Sequence, residues 1–417
     1  MASAIASRLG KAARSEDGET AAGVLRIFSR PLVASAPSER LAAAGAAGPG
    51  ALEAAVKSGI RDVSWGQLLA RVCVAAQAWA EGRAGDALEA QLAALKLATE
   101  VTEEAETNWT VPVLQVVASD AFAVAVACFR GEAEFAEETR AERSAVLEQL
   151  AQSLRFAFAT TAAHRLAGLD RSLSKKHGTL AIGLLMLRTY TLLGNIRVCV
   201  TMVRSIEGPG SLPLSSFPKH QLVPYKYFRG RIAVFQGDLV TARQSLEFAL
   251  ANTPATARFH RNRCRIMAVL VPVMLHFGRV ASPGALAKFG LQHYGPLLDA
   301  FVAGHLGRFH AAIDANRAIL VRTGVFVTLE RLGQAVLRNL VARALPLAGG
   351  KSVVDLSIVR AALAHVGAAS SQDAAECALA GLIRRGFIKG YISHSHGKMV
   401  VATKSSALPR TAFNGSH

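Results

Sequence analysis

At 417 residues the chain is too long for one compact core and suits two or three packing units. Hydrophobic residues make up 51% and aromatics only 6%, which excludes disorder throughout and favours closely packed Ala-rich helices over a sheet sandwich. Lys and Arg number 47 against 30 Asp and Glu, a formal charge of +17 that points to an acidic partner: nucleic acid, an anionic membrane or an acidic protein.

Residues 1–50 are rich in Ala, Ser and Gly and read as a flexible leader. Its start carries Arg8, Lys11 and Arg14 without acids, as a disordered tail or a transit peptide does. From 51 to 345 apolar residues recur at three and four, so helical repeats are expected, an N-terminal set over 51–205 and a second set over 206–345. The most apolar windows, 111–129 and 180–200, are interrupted by Pro112 and Asp120, and by Arg188, Asn195 and Arg197. Both read as buried helices, and no membrane partner is expected. Residues 208–218 form the one long internal loop.

Over 227–254 the spacing of Gly230, Gly237, Asp238, Ala242, Ala249 and Pro254 matches a tetratricopeptide-type hairpin, in which small residues let two antiparallel helices approach. The other turns match only in part, so an irregular helical solenoid is expected. A long helix is predicted over 325–344, with Val325, Leu329, Leu332, Val336 and Leu340 on one stripe. After Pro346 the pattern changes over 350–404: a helix at 354–366, a second at 373–385 starting near Ser371 or Gln372, β-like runs at 387–393 and 398–403, and a reversal at 394–397. That is the outline of a winged helix, followed by a tail at 405–417. The fold class is mainly α, with a TPR-like solenoid capped by a C-terminal winged helix.

Charge concentrates at this end. From Arg258 onward there are 20 Lys or Arg against 6 Asp or Glu, and no carboxylate follows Glu376. Arg384 and Arg385 at the end of the second helix, with Lys389, His394, His396, Lys398 and Lys404 on the hairpin, are candidates to lie along a phosphate backbone. No neighbouring carboxylate is expected to cancel them. Contacts to phosphate carry little sequence preference. A second cluster, Arg258, Arg261, Arg263 and Arg265, with Arg229 and Arg231 in the same groove, suits RNA, an acidic protein or plain solvation. Phe387 and Tyr391 on the first wing strand are expected to pack on the core or to form a partner interface, with base stacking as the lesser reading.

No enzyme signature holds. His394 and His396 resemble the His-x-His pair of isopeptidases, but no Asp follows Asp373 to complete such a site. Gly350, Lys351 and Ser352 end like a phosphate loop, yet Leu345 stands where that loop needs Gly. Five cysteines lie 55 or more residues apart without a CxxC pair, so they read as buried thiols, not as zinc ligands or disulfides. No cofactor is expected.

Several strings resemble one family: NWTVPV at 108–113, YKYFRGR at 225–231, RNRCRIM at 261–267 followed by VPV, RTGVF at 322–326, LRNL at 337–340 and GYISHSH at 390–396. They are similar to PCI-domain proteins, the helical scaffolds of the proteasome lid and the COP9 signalosome, and within them to the PCI domain-containing protein 2 family. The similarity runs from about Asn108 to Thr403. The resemblance implies a non-catalytic scaffold of the nuclear-pore-associated transcription-export complex two, in the nucleus with a pore fraction and some in the cytoplasm. It implies a large PCI-type export scaffold of the Sac or germinal-centre-associated type as partner. It also implies a small, acidic, disordered subunit shared with the proteasome lid, and RNA or DNA bound by the paired winged helices. The alternatives are a subunit of a signalosome-like or lid-like assembly and a free-standing winged-helix DNA-binding regulator.

Overall fold

Ala-rich sequence with apolar residues at helical spacing folds here as a succession of helices, each burying its stripe on the next. The computed structural model describes residues 2–29, 33–60, 62–130, 140–164, 170–348, 352–368, 371–402 and 408. Two compact units divide the chain, Met1–Tyr225 and Lys226–His417. The second holds 24 of the 47 Lys and Arg but only 8 of the 30 Asp and Glu, so almost all of the net charge belongs to it. Lys404 and the rest of the tail, apart from residue 408, lie outside the described residues.

The first unit begins with α1 (Ala2–Arg14), α2 (Gly18–Leu25), α3 (Glu39–Ala46) and α4 (Pro49–Gly59). This departs from the expected flexible leader. Leu9, Leu25, Phe28 and Leu41 are buried, and α1 packs on α4 while α2 packs on the later helix Val111–Arg130. Low-complexity composition hid the few large side chains that hold these helices down. Then follow α5 (Val63–Ala80), α6 (Ala84–Glu104), α7 (Val111–Arg130), α8 (Arg140–Ala163), α9 (Thr179–Leu192) and α10 (Ile196–Glu207), with neighbours packed in chain order. Segment Asn108–Arg130 is long and apolar enough to cross a membrane, but 83% of its most apolar window is buried within the protein.

One carboxylate lies inside this unit. Asp120 on α7 accepts the Ile27 N–H at 2.8 Å and is 2% exposed, and burial pushes its pKa up to about 7. In the unfolded chain the same group ionises near 3.8. Between those values the folded state holds a proton that the unfolded state has lost. Stability from this group therefore falls as pH rises through that window, by up to about 1.4 kcal/mol per pH unit, and levels off above pH 7. Asp120→Asn keeps an oxygen for the Ile27 N–H, so the wild-type minus variant difference in Tm should change steadily between pH 5 and 7. Equal pH profiles for the two proteins would contradict this. The difference is the proper readout because buried His276 works in the opposite direction. Burial lowers its pKa to about 4, so its stability is lost as pH falls below 6.5.

Helix α11 (Lys219–Gln236) carries the chain from the first unit into the second. It forms the expected hairpin with α12 (Leu239–Ala251): Gly237 turns the chain at φ 82°, Asp238 caps α12 by accepting the Thr241 N–H at 3.0 Å, and Ala242 and Ala249 are fully buried. A Cβ at Gly230 would lie 2.6 Å from the Leu246 side chain, which is why that position is small. The unit continues with α13 (Ala257–His276), α14 (Pro283–Lys288), α15 (Gly295–Ala303), α16 (Leu306–Ala315), α17 (Arg317–Thr323), α18 (Phe326–Glu330) and α19 (Gly333–Ala344). The predicted long helix is thus two. Its stripe is buried as expected, but the Leu332 N–H donates to Leu329 O at 2.9 Å, tightening the turn before Gly333.

The C-terminal module is a winged helix of β1 (Val353–Asp355), α20 (Leu356–His365), α21 (Gln372–Arg384), β2 (Gly390–Ser393) and β3 (Lys398–Val401). Strand order is β1-β3-β2, both pairings antiparallel. One expectation is corrected here. Residues 353–355 pair as a strand, and the helix starts only at Leu356, where Asp355 accepts the Ser357 N–H at 2.8 Å. Helix α19 packs on α20. Ser371 caps α21 as expected, accepting the Ala374 N–H at 3.2 Å.

Candidate nucleic-acid interface

The winged helix places its cations by simple alternation. On β2 and β3, odd and even positions face opposite sides of the sheet. Val354 and Met399 are buried on one side, while Lys389, Tyr391 and Lys398 are exposed on the other. Arg384 ends α21 and Arg385 follows it as the cap, both exposed. Among the described residues none of Arg384, Arg385 and Lys389 forms an ion pair, so three of the predicted cations face solvent with their charge available.

The expectation that no carboxylate cancels this cluster does not hold. Sequence order hid two acids that the fold returns to it. Antiparallel pairing of β1 with β3 sets Asp355 directly opposite Lys398. Asp355 is held below its usual range first by Ser357 hydrogen bonds and also by Lys398. Glu376 of α21 sits against the wing turn, 2.7 Å from His394 Nδ1, and that hydrogen bond raises the pKa of His394. Glu376 accepts the Gln372 side-chain N–H as well, at 3.0 Å, and is held low by both. His394 is thus a tether between wing and helix. His396 lies within hydrogen-bonding distance of Ser393 (2.9 Å) and Ser395 (3.0 Å) inside the same turn. Neither histidine meets a set of metal ligands among the described residues.

Of its two expected places, Phe387 takes the core, and the partner-interface reading is corrected. It precedes β2 and is 4% exposed, with its N–H donating to Leu382 O at 2.9 Å, so it belongs to the core and not to a partner interface. Ile388 is buried beside it. Tyr391, by contrast, is 62% exposed.

The second cluster divides. Arg258, Arg261 and Arg265 are exposed along α13 and form no ion pair among the described residues. Arg263 turns inward, donating from Nη1 to Thr253 O at 2.6 Å and Leu250 O at 3.2 Å, where it closes the C-terminal end of α12. Arg231 lies over the Tyr227 ring at 5.8 Å, and Arg229 is half-buried, so both are drawn into packing. The thiols divide as well: Cys73, Cys128 and Cys199 are buried as expected, Cys264 partly, and Cys377 is exposed on α21.

The family-like strings are mostly structural. Trp109 stacks on Trp65 at 5.5 Å, and Tyr225 is fully buried with its hydroxyl donating to Glu207 at 2.9 Å. Asn339 donates to Phe301 O at 2.9 Å, closing α15. RNRCRIM exposes Arg261 and Arg265 on α13, and GYISHSH forms exposed strand and wing turn.

Helical hairpins running into a terminal winged helix are the arrangement of PCI-domain proteins. No protein-family model matches the chain. It is 30% identical over 307 residues to the PCI domain-containing protein 2 homolog of Drosophila melanogaster, covering 73% of this chain and 74% of that protein. It is 26% identical over 363 residues to Enhanced ethylene response protein 5 of Arabidopsis thaliana (85% and 83% covered). It is 30% identical over 261 residues to COP9 signalosome complex subunit 12 of Eremothecium gossypii (57% and 62% covered). The chain belongs to the PCI domain-containing protein 2 family.

Proposed function

We propose that this protein is a non-catalytic scaffold and nucleic-acid-binding subunit of a nuclear-pore-associated, transcription-coupled mRNA export complex. The observation that carries the reading is the exposed basic edge of the winged helix, Arg384, Arg385 and Lys389, at the end of helical repeats in a chain of this family. Such an edge holds phosphate without reading bases, so RNA and DNA of any sequence are ligands. The outward positions of α21 agree with weak base readout. Ala374, Cys377 and Ala380 are exposed there and bring no strong hydrogen-bonding group to a base edge, while Gln372, exposed beside Asp373 in the first turn, donates to Glu376.

In this reading the winged helix also docks a large PCI-type export scaffold. The exposed arginines of α13 face either RNA or a small acidic subunit. The protein is nuclear, with a fraction at the pore and some in the cytoplasm. The likeness to COP9 signalosome complex subunit 12 favours one second reading, a scaffold in a signalosome-like assembly. Mass spectrometry of the native complex isolated through this chain separates the two. A large PCI scaffold, a small acidic subunit and co-purifying RNA are expected. Signalosome subunits in their place would support the second reading, and recovery of the chain alone would contradict both.

A further inference from the structure

We propose that Tyr391 is a stacking platform for an unpaired base, on the open face of the wing sheet, with Lys389 and Lys398 taking the flanking phosphates. The proposal rests on the nucleic-acid reading above and narrows its ligand to single strands.

Strand register places these groups together. Tyr391 pairs with Val400 and Ser393 with Lys398, while Val353 and Asp355 of β1 pair with Val400 and Lys398 from the other side. The Ala402 N–H donates to Lys389 O at 2.8 Å, which extends the ladder by one step. One face of the sheet therefore carries Lys389, just ahead of β2, with Tyr391 and Ser393 on it, beside Val400 and Lys398. Exposure agrees: Tyr391 is 62% and Val353 44% exposed, while Met399 and Val354 on the opposite face are fully buried. Among the described residues the Tyr391 ring makes no ring contact and its hydroxyl no hydrogen bond. Lys389 stands two residues along the strand, about 6.8 Å away. Lys398 is the diagonal neighbour, at about 7–8 Å. An aromatic ring between two ammonium groups on flexible stems fits a nucleotide, with the base on the ring and phosphates to either side.

A duplex fits this face poorly, because its bases are already paired and stacked and offer no free π-face. The helix that would enter a major groove, α21, presents small side chains and has Asp373 in its first turn. A protein partner is the competing occupant. Charge argues for the polynucleotide, since the ring lies between two lysines in a unit that carries 24 Lys and Arg against 8 acids. Asp355 opposite Lys398 draws on one of those charges, so Lys389 should contribute the larger share.

The test is fluorescence anisotropy of the full chain at fixed salt with a labelled 20-nucleotide oligouridylate and a 20-base-pair duplex. Tyr391→Ala should weaken oligouridylate binding about tenfold or more, the scale of one lost base–aromatic contact, and leave the duplex within about twofold. Its salt slope should stay that of the wild type, because no charge is removed. Tyr391→Phe keeps the ring and should bind like wild type. Thermal melting of both variants checks the fold, which an exposed side chain should not disturb. Unchanged oligouridylate binding by Tyr391→Ala, or equal weakening of strand and duplex, overturns the stacking role while leaving nucleic-acid binding standing. A variant that binds RNA normally but no longer captures the large partner protein makes the face a protein dock and also overturns it. A wild-type chain that binds neither probe removes the nucleic-acid reading itself.

Discussion

Replacing Gly304 by Ala is expected to lower the melting temperature of the second unit by about 5–20 °C. Gly304 ends α15 with φ 76°, a left-handed conformation that costs an ordinary residue about 1–2 kcal/mol. Its environment adds to that cost, because a Cβ there would lie 2.4 Å from Leu340 N and 2.5 Å from Leu340 Cα on α19. Backbone atoms cannot rotate aside, and overpacking of this kind costs about 1–3 kcal/mol more. For a unit of this size each kcal/mol shifts Tm by about 2–4 °C. Gly324 is the internal control. It has φ 82°, but a Cβ there would meet nothing within 4 Å, so Gly324→Ala should lose only the conformational part. Calorimetry that finds the two variants equally destabilised would show that the α15–α19 contact does not confine Gly304.

What could be read in advance followed local rules. The hairpin over 227–254 was legible because a turn glycine, a capping Asp and small residues at helical spacing are each set by nearby sequence. The winged helix was legible in outline for the same reason, since Ser371, the glycines and the β-branched runs mark their own boundaries. Two kinds of feature were not. Strand β1 is three residues long and exists only through pairing with β3, more than forty positions away, so residues 354 and 355 looked like the start of a helix. The helices of the first fifty residues depend on a few leucines and one phenylalanine packed against distant partners.

The site divides the same way. The exposed cations Arg384, Arg385 and Lys389 were legible from clustering alone. That Glu376 returns to His394 and Asp355 to Lys398 was not, because strand register and helix docking bring acids from earlier in the chain to a stretch that contains none. The inward turn of Arg263 escaped for a related reason. Helical spacing assigns a face, but carbonyls at the end of α12 decide which arginine it keeps.

Replacing Arg384, Arg385, Lys389 and Lys398 together by Ala is the second change expected to have a large effect. All four are exposed, so the variant should fold. If each neutralises one phosphate of a single strand, the four supply a salt slope of about −3 in log K against log salt. Relative to wild type, binding should then weaken by up to about 100-fold at 0.2 M salt and a few thousandfold at 0.05 M. The loss should be alike on every sequence, because phosphate contacts carry no base information. Asp355 already faces Lys398, so restoring Lys398 alone should recover the least.

The most direct measurement is a salt titration of RNA affinity for the full wild-type chain and this fourfold variant, side by side. Phosphate binding at the winged-helix edge predicts a steep wild-type line and a variant line shallower by about 3, the two converging toward 1 M salt. Parallel lines would mean that phosphate is held elsewhere on the molecule and that the winged-helix edge is not the nucleic-acid interface.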